Sequence, residues 1–134
     1  MIRAPLRRGG SRSERHETHH RQKSRRTDFA RRALRGAPFS VGAVPTEPDG
    51  SIPAGIKAQT DLVLRKLEAV AKEAGFGLGD FVKCTVFLRN LEDFDDMNSV
   101  YRKFFPANPP ARSCVRAEVA IAADIEIEAI AMKG

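Results

Sequence analysis

Near residue 38 the chain changes character, and that break sets how much of it can build a core. Residues 1–38 carry twelve Lys or Arg against three Asp or Glu, whereas residues 39–134 carry eleven against fourteen. The net charge of +6 therefore describes neither part: a strongly basic segment precedes a mildly acidic one. The first segment has almost no apolar periodicity, so burial cannot offset the entropy of ordering it. It is expected to be a disordered basic tail. Residues 39–134 suffice for one domain with one modest core. Hydrophobic residues make up 42% of the chain, as in a soluble globular protein. No apolar run approaches the length of a membrane span, and no secretory h-region stands out. The two cysteines, Cys84 and Cys114, do not form a disulfide framework, so a reducing, cytoplasmic setting is expected.

The basic segment holds two patterns that invite a functional reading. His16-Glu17-Thr18-His19-His20 matches H-E-x-x-H, but zinc chemistry needs a docked helix and a third ligand. All three histidines lie in this cluster and no apolar face accompanies it, so no metal site is expected. Arg25-Arg26 and Arg31-Arg32 offer charge for phosphates, yet no aromatics interleave to stack bases. A nucleic-acid partner is not indicated. The segment also lacks the amphipathic stripe of an organelle transit peptide.

From Phe39 onward the pattern is regular. Phe39 to Pro45 reads as a short strand, and Thr46-Glu47-Pro48-Asp49-Gly50 as turn chemistry. Ala54 to Ala74 reads as a helix with a buried stripe of Val63, Leu67, Val70, Ala71 and Ala74, stopped by a left-handed Gly75. Phe81 to Leu88 is a strand with Val82, Cys84, Val86 and Leu88 on one face. A second helix spans about Asp93 to Phe105, capped by Asn90 or Asp93, with Phe94, Met97, Tyr101, Phe104 and Phe105 as its apolar face. Pro106, Pro109 and Pro110 end it. Strands follow at about Ala111 to Val119 and Ile125 to Met132. This order predicts an α+β fold, with two helices packed on one face of a sheet.

Alternation along the last two strands puts Arg112, Cys114, Arg116 and Glu118 on one face, and Glu126 and Glu128 on a face with Ile130 and Met132. If the helices cover the aliphatic side, these charged residues lie together away from the helices. Such a mixed face suits a cleft at a subunit interface. There Arg112 offers a planar fork of donors for a carboxylate, and Glu126 can handle protons beside the bound molecule.

The same residues carry a family resemblance. The segments are Gly42-Ala43-Val44-Pro45, Gln59, Ala74-Gly75, Val82-Lys83-Cys84-Thr85-Val86-Phe87-Leu88, Asp93-Phe94, Asn98 and Tyr101. Pro110-Ala111-Arg112-Ser113-Cys114-Val115 and Ile125-Glu126-Ile127-Glu128-Ala129-Ile130-Ala131 close the series. In this order they resemble the Rid/YjgF family of reactive-intermediate imine and enamine deaminases, over about residues 39–134. The resemblance implies a chorismate-mutase-like α+β fold and a homotrimer with clefts between subunits. It implies hydrolysis of 2-imino acids, such as 2-iminobutanoate and 2-iminopropanoate, to 2-keto acids and ammonia without metal or cofactor. By the same resemblance Arg112 grips the substrate carboxylate, Cys114 lines the pocket, Glu126 positions or activates water, and Gly42 and Asn98 lie near the cleft.

Two departures accompany it. The family's first strand usually carries a Gly-Pro-Tyr-Ser-Gln-like motif whose tyrosine reaches the site, and residues 1–38 contain none. The chain's one tyrosine is Tyr101, and Val41 stands before Gly42 with Ser40 displaced by one. Two other function classes therefore stand beside the deaminase. One is a module that holds a small carboxylate without turnover. The other is an endoribonuclease or translation-inhibitor type of relative.

Overall fold

The computed structural model describes residues 36–133. The disordered tail, the H-E-x-x-H cluster and the arginine pairs predicted for the basic segment lie outside the described residues, apart from positions 36–38. Six elements follow in order: β1 (Phe39–Ala43), α1 (Ile56–Glu73), β2 (Phe81–Leu88), α2 (Phe94–Phe104), β3 (Ala111–Arg116) and β4 (Ile125–Ala131). They form an α+β fold with one mixed sheet of order β1-β4-β2-β3. β4 is antiparallel to both β1 and β2, while β2 and β3 run parallel. The parallel pair is joined through α2, as such a crossover requires.

Helix α1 buries Ile56, Thr60, Val63, Leu64, Leu67 and Ala71 against β1, β4 and α2. Val70, expected in this stripe, is 43% exposed. The stripe is centred on Thr60, Leu64 and Leu67, and Val70 falls on its flank. The helix ends as predicted at a left-handed Gly75, with φ of 87°. Phe76 N donates to Ala71 O at 2.8 Å and Gly75 N to Lys72 O at 3.0 Å, the paired bonds of a Schellman stop. The turn then delivers Phe76 into the core, where its ring stacks 5.5 Å from that of Phe39. Helix α2 buries Met97, Val100 and Tyr101. Its expected side-chain cap is absent: neither Asn90 nor Asp93 bonds the first turn, because a 3-10 turn over Leu91–Asp93 leads straight into the helix. Phe94 sits at the rim, 36% exposed.

Two expectations about strand faces are overturned. In β2, Val82 is 45% exposed while Cys84, Val86 and Leu88 are fully buried. A bulge causes this: Phe81 pairs with Ala131 and Lys83 with Ile130, so Val82 is an extra residue that turns outward. The second correction concerns the charged residues. Register aligns Arg112 with Cys84 and Cys114 with Val86, so both point to the helix side of the sheet. Glu126 aligns with Phe87 and Glu128 with Thr85, which places them on the opposite, open side. Arg112 and Glu126 of one chain therefore lie on opposite faces. Strand alternation alone gives parity within each strand; only the pairing register relates one strand's parity to the next.

Candidate functional site

Arg112 rides on β3, the edge strand beside β2. The chain reaches it through Pro109 and Pro110, after Asn108 has taken a left-handed φ of 48°, which asparagine tolerates better than most residues. This turn reverses the chain at the end of α2 and brings the first residues of β3 back along that helix. Asn98, Tyr101 and Arg102, at i, i+3 and i+4 of α2, present one side of the helix to it. The Arg112 guanidinium donates from Nη1 to Asn98 Oδ1 at 2.7 Å. Its central carbon lies 4.6 Å from the centroid of the Tyr101 ring and 5.6 Å from that of Phe94. Hydrogen bond and aromatic shelf together fix a cation that would otherwise sweep a wide volume.

The guanidinium opens on a cleft of about 340 Å³ lined by Asn98, Tyr101, Arg102, Phe105, Pro109, Pro110 and Arg112. That is the lower end of the size that small metabolites occupy. Its walls are rings and prolines, its polar groups are two guanidiniums and an amide, and no carboxylate or imidazole is among the described lining residues. Tyr101 forms the floor. It is 4% exposed, its ring lies 4.8 Å from that of Phe105, and its hydroxyl is buried without a hydrogen-bond partner among the described residues. The Cys84 thiol lies beside that hydroxyl without meeting hydrogen-bond geometry. Burial, with the neighbouring thiol, holds the phenol well above its ordinary range. Cys114 lies two residues beyond Arg112 on the same face, half-buried. Burial pushes its thiol up, and the Arg112 charge only partly opposes this. Cys114 is thus a protonated, weakly nucleophilic neighbour of the arginine at neutral pH.

Of the residues singled out in the sequence, the structure brings Arg112 and Asn98 together at the cleft, while Cys114 shares the strand face of Arg112 without being among the cleft's lining residues. Gly42 and Glu126 lie elsewhere: Gly42 pairs with Glu128 in the β1–β4 register, and both share the open face with Glu126. Sequence reasoning left out Tyr101 and Arg102 as site residues, treating the tyrosine as core alone. The signal was their i+3 and i+4 spacing from Asn98. Among the described residues, no group of three or more His, Cys, Asp or Glu is arranged to hold a metal ion.

A four-strand mixed sheet with two helices, presenting a fixed arginine and asparagine at a small cleft, defines the class. The chain belongs to the Endoribonuclease L-PSP family, the Rid (YjgF/TdcF) proteins, whose profile matches residues 32–133. It is 42% identical to the 2-iminobutanoate/2-iminopropanoate deaminase of Escherichia coli K12 over 100 residues, 71% of this chain and 78% of that one. Among solved structures it is similar to E. coli TdcF with bound serine, at TM-score 0.70 and 38% identity, covering 75% of this chain and 84% of that one. Yeast Mmf1 is similar at TM-score 0.69 and 33% identity, covering 72% and 80% respectively. Among the described residues, no helix is long and apolar enough to cross a membrane.

Proposed function

We propose that the protein hydrolyses 2-imino acids of the 2-iminobutanoate and 2-iminopropanoate type to 2-keto acids and ammonia. The observation that carries this reading is the clamped Arg112 guanidinium, bonded to Asn98 and stacked on Tyr101 at the mouth of a small cleft. The arginine grips the carboxylate of the substrate, and the apolar walls receive its short side chain. Water adds to the carbon of the C=N bond, a proton passes to nitrogen, and the resulting carbinolamine collapses to the keto acid with loss of ammonia. No electrons are exchanged, so the chemistry calls for positioning and proton handling and for no redox cofactor or metal.

Glu126 is the proposed group that orients the water, and it comes from a second copy of the chain. Within one chain it faces away from Arg112, and the cleft's lining holds no carboxylate of its own. A homotrimer with clefts between protomers brings an Arg112 face against a Glu126 face. The open side of the sheet supports such an assembly, since Val82, Val115 and Ile130 are 45%, 42% and 37% exposed there. Gly42 pairs with Glu128, two residues from Glu126 on that side, and Cys114 follows Arg112 on the same strand face. A second reading is carboxylate binding without turnover. It is favoured by a cleft that holds its binding cation while the proposed water-orienting group lies on the other face.

The test is ammonia release from 2-iminobutanoate generated in situ by an amino acid oxidase. The wild-type protein is expected to accelerate it, and Arg112→Ala to lower kcat/KM roughly 100-fold, the scale of one charged two-point contact. Equal rates for the two proteins would remove Arg112 from its role. Carboxylate binding with no rate enhancement would select the second reading.

A further inference from the structure

The cleft holds one more cation than a monocarboxylic substrate uses. Arg112 and Arg102 both line it, and no carboxylate among the described lining residues neutralises either. Arg102 makes no hydrogen bond or ion pair among the described residues. Its own helix supplies no counterion: the positions three and four before it are Ser99 and Asn98, and those three and four after it are Phe105 and Pro106. A basic residue does suit the C-terminal turn of α2, but the adjacent Lys103 meets that demand without lining the cleft. Tyr101, Phe105 and the Pro109-Pro110 pair line the same cleft as the two arginines, and their apolar surface suits methylene groups.

We propose that Arg102 is a specificity-determining residue that receives a second carboxylate, so that the preferred ligands are dicarboxylic: 2-imino acids of four or five carbons with an acidic side chain. The proposal rests on the deaminase reading for its chemistry but not for its binding geometry. The first carboxylate docks on Arg112, the short apolar chain lies along Phe105 and the prolines, and the distal carboxylate meets Arg102. A neutral side chain leaves the second cation solvated and forfeits that contact.

The experiment measures kcat/KM for an acidic and a neutral imino acid, both generated in situ by the same kind of oxidation, in the full-length wild type and in Arg102→Gln. The acidic-to-neutral ratio is expected to fall about tenfold in the variant, chiefly through KM, as loss of one charged contact implies. Arg102→Lys, which keeps the charge and loses the fork, is expected to retain part of the preference. Calorimetry with glutarate and butyrate gives the same comparison without turnover, and the glutarate preference is expected to shrink as salt is raised. A wild type that prefers glutarate through Arg102 but turns over no imine would sustain this inference and overturn the deaminase reading. Turnover of 2-iminobutanoate with an acidic-to-neutral ratio unmoved by Arg102→Gln would do the reverse. A wild type with no preference for the dicarboxylate in either assay would also overturn the inference.

Discussion

Tyr101 shows how one side chain can serve the core and the cleft at once. Its ring supports the Arg112 cation from below, while its hydroxyl is buried with no partner among the described residues. The two parts of the residue therefore separate under mutation. Tyr101→Phe keeps the ring and deletes an unsatisfied polar atom, so thermal unfolding is expected to show an unchanged or slightly raised Tm, the gain not exceeding about 1 kcal/mol. Tyr101→Leu removes the aromatic shelf and leaves space beside Phe105, with an expected loss of about 2–3 kcal/mol. The same variant is expected to weaken binding of a small carboxylate by calorimetry about threefold or more, since Arg112 loses a cation–π contact. Binding by Tyr101→Phe should match wild type. If both variants bind alike, the ring does not orient the arginine.

At the scale of elements, the short turn before β2 ties the end of the chain's last strand to the start of its central one. Asp80 Oδ2 accepts from Gly77 N at 2.8 Å and from Lys133 Nζ at 2.9 Å, and Met132 N donates to Asp80 O at 2.9 Å. The Gly77 bond, then Lys133, holds the Asp80 carboxyl below its ordinary value of 3.8. A lowered folded value means that the charged form is favoured by folding. The contribution is complete above the unfolded value and disappears as pH falls through the folded one. Asp80→Ala is thus expected to lower Tm by about 4 °C at pH 7, the effect of somewhat under 1 kcal/mol in a small domain. Melting curves of the two proteins should draw together only as pH falls beneath the ordinary value of 3.8 and through the lower folded one. A gap that persists there would assign the effect to the turn's backbone instead.

The elements also show where sequence reading reaches its limit. The α1 stripe, the Gly75 stop and the proline-ended α2 are local matters of periodicity and backbone freedom, and they stood in the residues themselves. Arg112, Asn98 and Cys114 could be picked out by residue type and resemblance. Their placement relative to Glu126 could not, because it depends on how β3 registers on β2 and β2 on β4. The bulge at Val82 was equally hidden, since one inserted residue leaves no mark in an apolar run.

At the scale of the whole molecule, the sheet carries its candidate cation on one side and its candidate base on the other, so under the proposed function each chain would contribute to two different sites. That arrangement makes a specific demand on mixed assemblies. Arg112→Ala and Glu126→Gln are each expected to be strongly impaired alone. Co-expressed, they should recover activity, because about a quarter of the clefts in randomly mixed rings would pair an intact arginine with an intact glutamate. Imine turnover by the purified mixture, compared with each variant separately, checks this. No recovery would mean that a working site draws both groups from one chain.

The position of Arg112 on the outermost strand has a dynamic corollary. Among the described residues β3, like β1, has hydrogen-bonded company on one flank only, so its backbone is a part of the sheet that can peel away without wholesale unfolding. Occupancy by a carboxylate would then be legible as slowed deuterium uptake across Ala111–Arg116, with β4, held on both flanks, scarcely changed. The ligand would act as a clasp on a loose hem, fastening the strand that carries its own anchor.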